Sequence, residues 1–263
     1  MTQHHTIAWA QSSFIDSFDA GAMISTIPPM SITPDLLAKA RDRDRAALID
    51  LLVDRYPCLY RMAYALIGRE DVASAAVKVV LRQSVAASRL WNSPSDVDRW
   101  FMHHTLLTVR RAGARPGELA NDPLIRHVVS NNAYYPAFVQ ALRALSMQQR
   151  EAFLLHHGER LDERGLGISM DCSMQAASQH LREATKVLRA YGGAMYSVLT
   201  EQVVQTYDHL APPAEMIAPA IRTDLAHRNL RGWCVRVSVL AAQWAVLGLL
   251  GWTVWKIVPM LRW

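Results

Sequence analysis

The sequence predicts an all-α protein: two small helical domains, the second with a helix-turn-helix, plus one C-terminal transmembrane helix. Three observations lead there. Apolar residues recur at helical spacing through the middle of the chain, and strand alternation is hard to find. Signals for helix starts are frequent. Finally, Val237–Trp255 runs for 19 residues without a charge.

The elements follow in order. Residues 1–33 hold no Lys or Arg and two acids, Asp16 and Asp19, and are expected to be a flexible N-terminal segment. They have neither a basic start nor a long apolar run, so no secretory leader is expected. Thr33-Pro34-Asp35 then supplies a capping residue, a proline at the first helical position and an acid in the first turn. Leu59, Met62, Ala63, Leu66 and Ile67 lie on one helical face, and Val72, Ala76, Val79, Val80 and Ala87 continue after a break at Gly68. Ser93-Pro94-Ser95-Asp96 has the form of a capping box, and Trp100, Phe101, His104 and Leu107 mark the helix behind it. This first block is 34–113. Gly, Pro and Asn are concentrated in 114–136, which reads as a linker. The second block, 137–200, shows stripes at Phe138, Leu142 and Leu145, at Phe153 and Leu154, and at Ala177, Leu181, Ala184 and Leu188. A juxtamembrane linker is expected over 201–232 and a membrane span over 233–258.

The membrane expectation rests on length and flanks. Nineteen residues at 1.5 Å each give a rod of about 28 Å, close to the hydrocarbon thickness. Trp233, Trp252, Trp255 and Trp263 stand near its ends, and Gln243 is the strongly polar side chain inside. Arg222, Arg228, Arg231 and Arg236 precede it, whereas Lys256 and Arg262 follow. That asymmetry predicts a single pass through a bacterial inner membrane with the N-terminal body in the cytoplasm.

Composition narrows the function. Apolar residues are 51% and charged residues 19% of the 263, enough for a packed core and unlike a disordered chain. Cys58, Cys172 and Cys234 are far apart, which excludes a disulfide scaffold or a zinc ribbon. His4-His5, His103-His104 and His156-His157 are adjacent pairs whose side chains diverge on a helix, so no metal site is expected. No phosphate loop, HExxH or nucleophile elbow occurs, so neither a cofactor nor an enzyme is expected. The run Arg41-Asp42-Arg43-Asp44-Arg45 reads as a solvated charged face. The net charge of +5 favours an anionic partner, and the first block, with 13 basic and 9 acidic residues, holds most of the excess.

The second block carries the motif. A helix near 148–157 leads to a turn at Asp171-Cys172, and Ser173 caps an amphipathic helix over Met174–Arg189. Its polar face offers Gln175, Ser178, Gln179, Arg182 and Lys186, the kind of surface a recognition helix brings to the major groove.

Leu145–Arg189 resembles the promoter −35-binding domain of extracytoplasmic-function sigma factors, matching at Leu145, Gln149, Arg150, Glu151, Phe153, Leu154, Leu155, Glu159, Leu161, Ser173, Leu181, Ala184 and Leu188. The first block is similar to the same family's core- and −10-binding domain. The matching residues are Tyr56-Pro57, Leu59-Tyr60-Arg61, Ala63-Tyr64, Leu66, Gly68, Glu70-Asp71, Leu81-Arg82, Trp100 and Arg110-Arg111. The resemblance covers roughly 36–190. It implies promoter contacts through Ser173, Gln175, Ser178, Gln179, Arg182 and Lys186, with Arg99, Trp100, His103, Arg110 and Arg111 as further DNA-binding residues. It implies docking on the RNA polymerase core through Glu70, Asp71, Ser74, Val77 and Lys78, and a regulatory partner of the anti-sigma kind.

Departures from the family are specific. Where the family has an acidic, Gln-containing docking patch, this chain has Ser74-Ala75-Ala76-Val77-Lys78. In the second block Arg164, Gly165, Leu166, Gly167 and Asp171 replace the usual acids, Ile-Ala and turn Gly. Residues 114–200 carry 9 basic and 8 acidic residues, so counterion release contributes little to DNA affinity. The expectation is therefore a membrane-tethered, sigma-factor-like regulator of transcription initiation. The alternative is a degenerate sigma-like protein-interaction module at the membrane without DNA binding.

Overall fold

The elements begin where the sequence supplies acceptors for orphan backbone N–H groups. Thr33 accepts from the Leu36 amide at 3.2 Å and opens α1 (Pro34–Arg41). Asp44 accepts from Ala47 at 2.9 Å and opens α2 (Arg45–Ile67), which ends at Gly68 with φ +79°, a conformation natural to glycine. Helix α3 (Glu70–Ala87) follows, and a short 3₁₀ turn, Ser88–Leu90, leads to α4 (Pro94–Ala112). Ser93 and Asp96 cap α4 reciprocally. Asp122 caps the single turn α5 (Pro123–Arg126), and α6 spans Tyr135–Ala144. Ser146 and Gln149 form a second reciprocal cap at α7 (Met147–His157). Then come α8 (Glu163–Met170), α9 (Met174–Gly192) and, after a 3₁₀ turn at Gly193–Met195, α10 (Tyr196–Asp208). This computed structural model describes residues 32–113, 121–128, 132–212, 217–219, 221–223 and 243.

Every regular element among the described residues is a helix, and none of these helices is long and apolar enough to cross a membrane. The architecture read from the sequence is corrected on this point: the transmembrane helix is removed from the fold class, and the single-pass inner-membrane localisation goes with it. Residues 233–258, on which that reading rested, lie outside the described residues apart from Gln243. Two segments expected to be linkers contain helix: α5 within 114–136, and most of α10 beyond 201.

The described helices belong to one unit with a continuous core. Leu51, Leu52, Leu59, Met62, Leu66, Trp91, Phe101 and Leu106 of the first block share that core with Phe138, Leu142, Phe153, Leu155, Leu166 and Leu188 of the second. Each large side chain so buried contributes roughly 1.5–3 kcal/mol. Val79, expected on the buried face of α3, is 40% exposed instead. Pro57 sits inside α2, where it lacks the N–H that would reach back to Val53.

Three arginine forks tie the blocks together. Arg110 of α4 donates to fully buried Glu151 of α7, Nε at 2.9 Å and Nη2 at 2.6 Å. Arg61 of α2 donates to Glu159, beyond α7, at 2.8 Å from both Nε and Nη2. Buried Arg143 of α6 pairs with Asp122 and donates through Nη1 to the Ala65 carbonyl at 2.6 Å. Bidentate geometry compensates the desolvation of these charges.

Candidate nucleic-acid interface

The helix-turn-helix is built from α8 and α9, joined by Asp171, Cys172 and Ser173. Between the helix expected near 148–157 and the turn at Asp171-Cys172 the chain forms a further helix, α8. Asp162 caps α8 by accepting from Gly165 at 2.7 Å. Asp171 ends it with φ +58°, a left-handed conformation that Asp tolerates, and the Cys172 amide turns back to the Gly167 carbonyl at 3.0 Å. Ser173 accepts from Ala176 at 3.1 Å and starts α9. Gly167 lets the two helices approach: a Cβ there would stand 3.0 Å from the Met174 nitrogen and 3.1 Å from the Cys172 carbonyl oxygen.

Helix α9 divides cleanly. Ala177, Ala184 and Leu188 are fully buried against α6, α7 and α8. Gln175, Gln179, Arg182, Glu183 and Lys186 are exposed on the opposite face, and Met174 is 56% exposed at its start. Ser178, expected to face DNA, is buried, and its hydroxyl has no hydrogen-bond partner among the described residues. Glu183 stands in the middle of the open face. It accepts from Gln149 at 2.9 Å and from Gln179 at 3.1 Å, and these bonds hold its carboxyl below the usual range. Arg182 and Lys186 flank it, and Arg189 lies over the Tyr196 ring at 5.1 Å.

The first-block residues divide differently. Arg110 is turned inward: besides Glu151 it donates to the Met170 carbonyl at 3.2 Å, so it braces the end of α8 rather than facing solvent. Arg111 and Arg99 are exposed. Trp100 is half-buried, stacked on His104 at 4.1 Å and edge-on to Trp91 and Phe101. Burial and the neighbouring His103 depress the His104 pKa. Half-buried His103 meets His104 edge-on at 5.3 Å.

On α3, Glu70 and Asp71 are exposed in the first turn, and Asp71 is paired with Arg69 at 2.7 Å, which lowers its pKa. Lys78 is exposed and Ser74 half-buried, whereas Val77 has no exposed surface and belongs to the core. An open cleft of about 580 Å³ lies here, lined by Tyr64, Arg69, Glu70, Asp71, Ser74 and Arg126 among others.

Among the described residues no cluster of His, Cys, Asp and Glu could hold a metal, and Cys58 and Cys172 are free thiols. Sequence reasoning missed the roles of Glu151 and Gln149. Glu151 had a signal, since an acid directly ahead of the apolar run Ala152–Leu155, on a helix that is to be buried, needs an internal partner. Gln149 had none beyond its place in a capping box.

No protein-family model matches the chain, and comparison with curated proteins finds no similar sequence.

Proposed function

We propose that this protein is a sigma-factor-like regulator of transcription initiation, binding promoter DNA through the outer face of α9 and RNA polymerase core through the first turns of α3. The observation that supports it most is the α8–turn–α9 unit. A three-residue turn leads into a side-chain-capped helix whose Gln175, Gln179, Arg182 and Lys186 are exposed, with the Gln179 amide donating to Glu183. Gln can read adenine edges, and Arg and Lys can bind guanine or phosphate. The family resemblance of 36–190 adds the polymerase partner. Capture of core polymerase by the full-length chain, together with footprinting on promoter DNA, tests the proposal. Retention of polymerase and a protected site are expected; the absence of both refutes it.

One observation favours a second reading, a sigma-like protein-interaction module without DNA binding. Glu183, fixed by two amides, sets a negative charge at the centre of the reading face and repels phosphate. Under this reading a protein partner is captured and DNA is not protected.

A further inference from the structure

The open cleft at the start of α3 carries two charges that the fold itself does not use. Its volume, about 580 Å³, is that of a small-molecule site, and residues of α2, α3 and α5 or their flanks line it. Its charged groups can be assigned one by one. Arg69 is engaged by Asp71, with Nε and Nη2 at 3.3 and 2.7 Å from the two carboxylate oxygens. Asp122, which caps α5, is engaged by buried Arg143. Arg126 and Glu70 remain. Both are exposed, both line the cleft, and neither forms an ion pair among the described residues. The Tyr64 phenol feels both of them, Arg126 favouring and Glu70 opposing its ionisation, so the two charges lie near one hydroxyl without reaching each other.

The acidic side is held from behind. Tyr56, Tyr60 and Tyr64 follow one another along α2, with ring centres 5.8 and 5.7 Å apart. The Tyr60 hydroxyl is turned to Glu70 and the Tyr56 hydroxyl to Ser74. Asn121, just ahead of α5, brings an amide to the same cleft as Arg126. A cation and an anion held apart in one cleft, each without a counter-charge, suit a ligand that carries both charges. A purely anionic ligand would face Glu70, and a purely cationic one would face Arg126.

We propose that the cleft between α2, α3 and α5 binds a free α-amino acid, its carboxylate on Arg126 and its ammonium on Glu70. The Tyr64 hydroxyl and the Asn121 amide supply further donors for the carboxylate, and the Ser74 hydroxyl supplies an acceptor for the ammonium. Because Glu70 also stands in the polymerase-facing turn, the bound amino acid competes with polymerase. That consequence rests on the function proposed above; the binding itself does not.

The test is calorimetric titration of the full-length chain with each of the standard L-amino acids, without polymerase or DNA. Binding of at least one is expected. Its N-acetyl derivative, which lacks the ammonium, and its carboxamide, which lacks the carboxylate, should each bind at least about tenfold more weakly, the effect of losing one charge-assisted hydrogen bond. Glu70→Gln should then bind the free amino acid and its N-acetyl form alike, and Arg126→Gln the free amino acid and its carboxamide alike. A role in folding alone would not pair each variant with one ligand group. Absence of binding by every amino acid overturns the proposal, as do equal affinities of the three ligand forms for the unaltered chain, or variants that keep the unaltered chain's preferences. Should a variant fail to fold, the three ligand forms against the unaltered chain decide by the same criteria. Polymerase capture is measured separately. Amino-acid binding by a chain that captures no polymerase keeps the site and refutes polymerase docking; polymerase capture by a chain that binds no amino acid does the reverse.

Discussion

Replacing Arg110 by Met separates two roles that a basic residue at a helix end could have. Its partner Glu151 has no exposed surface, and Arg110 supplies it with bonds at 2.9 and 2.6 Å while also reaching the Met170 carbonyl. Removing one partner of a buried pair strands the other charge, at a cost of about 3–5 kcal/mol. The Arg110 side chain is 28% exposed, so water can enter the vacated space, and we place the loss at the lower end, about 3 kcal/mol. For a body of this size that corresponds to a fall in Tm of about 6–12 °C. Urea denaturation followed by far-ultraviolet circular dichroism measures it. The paired variant Arg110→Met with Glu151→Met leaves no buried charge and should recover most of the loss. A single-variant loss below about 1 kcal/mol, or a paired variant no more stable than the single one, refutes the reasoning. Lower DNA affinity at unchanged stability would instead return Arg110 to the DNA interface.

Neutralising Arg182 and Lys186 together, as Arg182→Gln with Lys186→Gln, should weaken DNA binding and reduce the salt slope of log K by about 1.8, with Tm unchanged, as measured by titration at several salt concentrations. Gly167→Ala should destabilise by about 1–3 kcal/mol in a denaturant titration, because the new Cβ meets backbone of the turn and the start of α9 rather than a movable side chain. His157, packed beside Phe153 at 4.6 Å, has its pKa lowered to about 4, by burial first and then by His156. Protonation therefore favours the unfolded chain. Stability is full above about pH 6.5, falls as the pH drops from 6.5 towards 4, and levels off below; in His157→Gln this part of the slope should disappear from a series of thermal melts.

Helix starts were the most legible part of the fold, because a cap is a local transaction between a side chain and an amide three residues on. Thr33, Ser93 and Ser173 all cap where the sequence placed them. The buried face of α9 was equally legible from the spacing of Ala177, Ala184 and Leu188. Ser178 misled because it borders that face, and side-chain chemistry alone does not say on which side of the border a small residue falls. Helix α8 was hidden by Gly165 and Gly167, both poor helix formers, of which Gly167 stands where the start of α9 comes close. Arg110 misled for another reason: its partner lies 41 residues away, and no local pattern joins them. The uncharged run near the C-terminus satisfies the length rule for a membrane span, but it lies outside the described residues apart from Gln243, and no described helix is long and apolar enough to cross a membrane.

Pro57 gives α2 a mechanical character that its neighbours lack. Without the amide that would bond Val53, the longest described helix carries a weak joint in its middle, and flexure concentrates there. Arg61 sits one turn beyond the joint. Whatever tugs on that guanidinium is therefore felt first as a bend between the two halves of α2, while the half nearer α1 can stay put.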